Sequence, residues 1–273
     1  MTGIVLQFIS LVTYANDYLA NDRLPDSFYP EHIAFRFCDS VIFKDFRKNS
    51  PKAVADGKLV ATDPKQWFLH LKQRGCKKLR LYFQYSNREG SPPDYKTAGM
   101  VGGGGFWRIE AQYENRYDSW ASRWEVTQKD DPQRNIWSVT YGLLHSETAP
   151  TELPCNLDVI KKVSLERFSA IKTFAKEQKL DSWHNIFEDA YAMLNSTEPA
   201  KSGFNMEMIP SENYSLIAKQ LLFAADKAWV FGGMGSWNDL NFEKEADQEL
   251  YEELSYQLYD NLCVNVLSAV NSY

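Results

Sequence analysis

The chain has 273 residues, 44% of them apolar and 24% charged, with a formal net charge of −6. That length fits one large hydrophobic core or two closely packed ones, and the composition excludes disordered and fibrous classes. No run approaches the roughly 18 consecutive apolar residues of a membrane span, so a soluble protein with no membrane partner is expected.

Met1 to Leu11 is apolar but lacks the positive n-region of a signal peptide. Val5, Phe8, Val12, Ala15 and Leu19 recur at helical spacing, which predicts a first helix there. Two prolines, Pro25 and Pro30, mark the following loop. Ile33, Phe35, Phe37, Val41 and Phe43 then alternate with mostly polar residues, the period of a half-buried strand. A lysine-rich connection over residues 44–58 leads to a short helix with Asp63 at its N-cap and Pro64 at its first position. Trp67, Phe68 and Leu71 form its buried face, and Gly75 is placed to end it.

Leu79, Leu81, Phe83 and Tyr85 make the clearest strand of the chain. The glycine- and proline-rich stretch 90–105 reads as a mobile loop. Three strands follow in quick succession, marked by Trp107, Ile109, Ala111 and Tyr113, then Trp120, Trp124 and Val126, then Trp137, Val139, Tyr141 and Leu143. Short turns such as Asp130-Asp131-Pro132 require antiparallel neighbours, so a meander is expected.

Beyond Asn156 the period changes from 2 to 3.6. Leu157 to Phe174, Trp183 to Leu194 and Tyr214 to Ala228 mark three helices, and Leu250, Leu254, Leu258, Leu262 and Val266 mark the last. The fold class is therefore α+β: an antiparallel sheet of about five strands with N-terminal helices, followed by an all-helical C-terminal part. The sheet region spans residues 1–150 and the helical region 151–273, with the boundary near 148–154 and the two packed as one unit.

Charge separates these regions. Residues 1–155 carry 20 Lys and Arg against 18 Asp and Glu, while residues 156–273 carry 10 against 18. The C-terminal part should repel polyanions and attract a basic partner. The basic cluster Lys72, Arg74, Lys77, Lys78 and Arg80 straddles a helix end and a strand, an ordinary place for cations, so no nucleic-acid partner is expected.

Sequence patterns for chemistry are sparse. His32, His70, His145 and His184 stand apart, and Cys38, Cys76, Cys155 and Cys263 form no CxxC pair, so neither a metal nor another cofactor is expected. Scattered cysteines of this kind read as buried hydrophobes in a reducing, cytoplasmic compartment. The segment Phe231-Gly-Gly-Met-Gly-Ser-Trp-Asn-Asp239 has the glycines of an anion-binding loop but not the Gly-Lys-Ser/Thr ending of a P-loop. It reads as a corner in which Trp237 fills a core gap and Asn238 or Asp239 caps the next element.

The segments Trp120-Ala-Ser-Arg-Trp-Glu-Val126, Ile136-Trp-Ser-Val-Thr-Tyr-Gly142 and Phe231-Gly-Gly-Met-Gly-Ser-Trp-Asn-Asp239 resemble a group of uncharacterised bacterial proteins of similar layout. The resemblance covers roughly the second half of the chain and implies no activity and no catalytic residue.

Acidic charge, abundant aromatics and missing catalytic motifs together favour a non-enzymatic protein-binding role, of an immunity or antitoxin type, against a basic partner. The binding residues would be Glu245, Glu249, Glu252, Glu253, Trp237 and Asp239. A hydrolase or transferase is the alternative, with Glu110 and Glu125 as acid–base carboxylates beside Arg108 or Arg123. Its cleft would have the loops at Gly102–Gly105 and Gly232–Gly235 on its rim. A structural or assembly component is the third reading and would show a large apolar surface patch.

Overall fold

The first helix, α1 (Gly3–Asn21), is walled in along most of its length, with every residue from Val5 to Asp17 buried. Thr2 caps its start by accepting a hydrogen bond from the Val5 N–H, and Asp22 ends it in the left-handed conformation. A helix buried on all sides must satisfy its own polar side chains internally. Gln7 does so by donating to the Ala34 carbonyl (3.1 Å) and accepting from the Tyr141 hydroxyl (2.9 Å), and Tyr14 donates to the Glu207 carbonyl (2.8 Å). The computed structural model describes residues 1–47, 57–86, 90–149, 152–153, 156–202 and 205–273.

Against α1 lies a mixed sheet. Its strands are β1 (Cys38–Asp45) and β2 (Lys58–Ala61), then, after helix α2 (Pro64–Gln73), β3 (Lys78–Gln84). The short helix α3 (Asp94–Thr97) precedes β4 (Phe106–Gln112), β5 (Tyr117–Val126) and β6 (Trp137–Glu147). The order is β2-β1-β6-β5-β4-β3. The strands β3 to β6 pair antiparallel throughout, as the short β4–β5 and β5–β6 connections require for the last three.

Three expectations need correction. The sheet has six strands rather than about five, because β2 interrupts the lysine-rich connection; its only buried residue is Ala61, which leaves no alternation to read. The sheet is not purely antiparallel, since β1 runs parallel to β6 with Val41 opposite Val139 and Phe43 opposite Tyr141. The long stretch of chain between these two strands imposes no antiparallel turn. Finally, the apolar alternation from Ile33 belongs in its first half to a 3-10 turn, Ile33–Phe35, capped when His32 Nδ1 accepts from Ala34 N–H; the strand begins only at Cys38.

Helix α2 forms as read, with Asp63 accepting from Gln66 N–H (2.8 Å), Pro64 at its first position and Gly75 at positive φ just beyond. Its Trp67 stacks on Phe43 (4.3 Å, 11°), and Phe43 on Tyr141 (5.2 Å, 17°). This aromatic column welds α2 to the middle of the sheet. The glycine-rich segment is tied down rather than loose: Gly104 N–H donates to Thr97 Oγ1 (3.0 Å), and the Tyr259 hydroxyl donates to the Gly104 carbonyl (2.6 Å).

The C-terminal part comprises α4 (Leu157–Glu177), α5 (Asp181–Met193), α6 (Leu216–Lys227) and α7 (Glu245–Asn271). Helix α7 packs on α4 and α6, and its end reaches β3, where Asn271 bonds both the N–H and the carbonyl of Leu81 (2.8 Å each). Among the described residues, no helix is long and apolar enough to cross a membrane. The 148–154 boundary falls partly outside the described residues, as does Cys155.

Candidate protein-binding surface

Helix α4 buries Ile160, Phe168, Ile171 and Phe174 at helical spacing. Helix α7 buries Tyr251, Leu254, Leu258 and Leu262 against it. Each helix nevertheless carries apolar residues beyond those the core takes up. Val159 and Val163 of α4 and Leu250 of α7 are exposed. Between the two helices runs an open groove of about 670 Å³ whose apolar lining includes Leu165, Ala170, Phe174, Tyr191, Leu250 and Leu254. The charged side chains lining it, Glu166 and Glu177, are both acidic.

The first turns of α7 extend this acidity. Glu245, Glu249 and Glu253 are exposed, and Glu253 lies on the same stripe as Leu250 and Leu254. Glu252 differs: it accepts hydrogen bonds from Lys96 Nζ (3.0 Å) and Gln248 Nε2 (3.0 Å), and the Lys96 contact lowers its carboxyl pKa. Five acids, Asp247 among them, lie in the first third of the helix, where the positive end of its dipole favours them and keeps their cost in stability low. Glu252 is paired with Lys96 and Asp247 with Lys244, whereas Glu245, Glu249 and Glu253 make no ion pair among the described residues.

Trp237 fills a core gap, as expected of the glycine corner, and this takes it out of the expected binding residues. That side chain is completely buried, ringed by Phe187 (5.2 Å), Tyr251 (5.4 Å) and Trp183 (5.6 Å). Its indole N–H donates to Ser255 Oγ (2.7 Å) and its carbonyl accepts from the Tyr251 hydroxyl (2.6 Å). A partner cannot touch it in this conformation, so it supports the surface instead of forming it. Asp239 is exposed, and its carboxylate accepts from the Gly235 N–H, closing the glycine loop.

The two glycine loops meet. A Cβ on Gly99 would lie 2.1 Å from the Gly232 carbonyl carbon, and Asn238 Nδ2 donates to the Tyr95 carbonyl (3.0 Å). The four side chains considered for acid–base work do not converge. Glu110 pairs with Arg80 (3.2 Å), Arg123 with Glu125 (2.9 Å), and Arg108 stacks on Tyr82 (4.1 Å). Arg108 and Arg123 border a cavity of about 450 Å³ together with Gly102, Gly103 and Gly105, but neither glutamate lines it. Gly232 lines a different cavity.

Among the described residues no group of three or more His, Cys, Asp or Glu is arranged to hold a metal ion. Burial pushes the Cys38 thiol up to about 11 and the Cys76 thiol up to about 12, which makes both poor nucleophiles at neutral pH.

Acidity of the last helix was readable from the sequence, but the groove was not, because its walls lie some eighty residues apart in the chain. Leu250, at the helical spacing of the last helix and lining the groove, is the one exposed residue there that the sequence pattern assigns to a buried face. Compared with family models, curated proteins and solved structures, the chain shows no match.

Proposed function

We propose that this protein acts by binding another protein, seating a basic amphipathic helix of its partner in the groove between α4 and α7. The observation that carries this reading is an open apolar groove whose charged lining residues are both glutamates, flanked by exposed Glu249 and Glu253. Apolar floor and charged rim match the way a helix is held in a groove: buried anchors supply affinity, and charges guide encounter and register. Neutralisation of a basic protein, in the manner of an immunity or antitoxin protein, is the most concrete form of this role.

A defined pair of peptides tests it. An amphipathic Lys/Leu helical peptide is expected to bind saturably, with affinity falling as salt rises, while its Glu/Leu counterpart does not bind. Changing Glu166, Glu177, Glu249 and Glu253 together to Gln should slow association on the order of tenfold or more, since steering by charge acts on that rate. Equal binding of the two peptides, or an unchanged rate in the variant, sinks the proposal. In the same assay, neutralising Glu245, Glu249, Glu252 and Glu253 tests the contribution of α7 alone.

A further inference from the structure

At the far end of the sheet, between β1, β2, α2 and the β4–β5 turn, lies a second pocket of about 230 Å³ with the opposite charge. Its floor is apolar, formed by Trp120 and Leu143, which are almost completely buried. Four cations line it: Arg47, Lys58, Arg74 and Arg116. Two carboxylates, Asp45 and Asp118, stand among them.

The carboxylates hold the arginines in place. Asp118 is 2% exposed and receives Arg116 Nε (3.1 Å), the Ser146 hydroxyl (2.6 Å) and, more distantly, Arg47 (3.6 Å). Asp45 takes Arg47 through both Nε (3.1 Å) and an outer nitrogen (2.7 Å), and Arg116 also stacks on Tyr113 (4.1 Å). Two guanidinium groups are thus fixed at the pocket wall before any ligand arrives. Lys58 and Arg74 have no carboxylate partner among the described residues, so two positive charges are left over.

A further observation agrees. The pKa of His70, also in the lining, is lowered by burial and then by the charges of Arg74 and Lys58, so their positive field reaches the pocket.

We infer that this pocket is a binding site for a phosphate-type dianion, either inorganic phosphate or the phosphate of a phosphomonoester. A phosphomonoester carries about −1.5 to −2 at neutral pH, which matches the two uncompensated positive charges. Guanidinium forks suit its oxygens, and the apolar floor excludes water from the contact. The site lies in the sheet, separate from the acidic groove of the helical part.

Calorimetric titration of the whole chain with inorganic phosphate at low salt tests the inference. One-site saturable binding is expected, with the His70 imidazole, followed by NMR, titrating at higher pH once phosphate is bound. The paired substitutions Lys58→Gln and Arg74→Gln involve exposed side chains, so they should leave the melting temperature unchanged and weaken binding by about tenfold or more. Adenosine monophosphate separates the two sources: tighter binding than phosphate assigns the site to an organic phosphomonoester, and equal or weaker binding assigns it to the free ion. Absence of saturable binding, an unmoved His70, or undiminished binding in the double variant overturns the inference. So does displacement of phosphate by a short oligonucleotide with a steep salt dependence, which would make this face a nucleic-acid surface.

Discussion

Asn16 and Asn271, from the first and last helices, close the free edge of the same strand. Asn16 accepts from the N–H of Leu79 (2.7 Å) and donates to its carbonyl (2.9 Å), and Asn271 does the same for Leu81 (2.8 Å each). β3 ends the sheet order, so its outward backbone groups have no strand to pair with. Two carboxamides stand in for that missing strand. Replacing either Asn by Ala leaves one N–H and one carbonyl unpaired and should cost about 1–3 kcal/mol. Urea denaturation measures the loss, and light scattering should show more self-association in the double variant, because an uncovered edge recruits other strands.

Gly99 and Gly232 pack backbone to backbone, and this contact joins the two glycine-rich loops. The obstruction facing a new Cβ on Gly99 is main chain, which cannot rotate aside. Gly99→Ala should therefore destabilise by about 1–3 kcal/mol, the usual cost of overpacking. Gly233→Ala, one residue along the partner loop, meets nothing within 4 Å and should be near neutral. Equal effects of the two substitutions in thermal denaturation would show that the loops do not meet as described.

His32 couples the fold to acid. Its Nδ1 accepts from Ala34 N–H (3.2 Å) and its Nε2 donates to the Glu207 carbonyl (2.8 Å), which fixes the neutral tautomer. Burial lowers its pKa, so between the folded value and the unfolded value of about 6.5 the unfolded chain binds more protons. Stability from this group is complete above about pH 6.5 and falls as pH drops below it, by at most about 1.4 kcal/mol per pH unit. His70 shifts in the same direction, chiefly through burial, and adds a smaller share because it is partly exposed. Denaturation midpoints between pH 7 and 5 should decline, and His32→Gln should flatten the slope while lowering stability at pH 7. A slope unchanged in that variant would remove His32 as the cause.

What could be read from the sequence follows from how local each interaction is. The helices of the C-terminal part were legible because Phe168, Ile171 and Phe174, or Leu254, Leu258 and Leu262, declare a face within a few residues. β2 was not, since an edge strand with Lys58 and Leu59 exposed buries too little to show a period. The parallel pairing of Val41 with Val139 was not, because strand partnership across a long connection leaves no local trace. For the surface, the acids of α7 were visible as letters. Their meaning depends on Leu165 and Ala170, which α4 brings alongside Leu250 and Leu254. Trp237 was legible as the filler of a core gap at the glycine corner, and its aromatic surroundings agree; what falls is its second reading as a binding residue, which complete burial rules out in this conformation.

That buried position separates the structural role of Trp237 from the docking role proposed for the groove. Phe174 and Tyr251 pack on Trp237 (6.5 and 5.4 Å), and Phe174 also lines the groove, so the indole lies directly beneath the proposed docking floor. Trp237→Ala should cost about 3–5 kcal/mol, the range for removing a large aromatic from a packed core. Trp237→Phe keeps most of the ring but leaves the Ser255 hydroxyl without its donor (2.7 Å in the intact protein), for a loss of about 1–3 kcal/mol. Below its unfolding transition, the Phe variant should bind the Lys/Leu peptide with unchanged affinity, because the partner meets Leu250 and the glutamates and not the indole. Affinity that falls while the folded fraction stays constant would show that the ring itself shapes the groove, and Trp237 would then return to the binding surface.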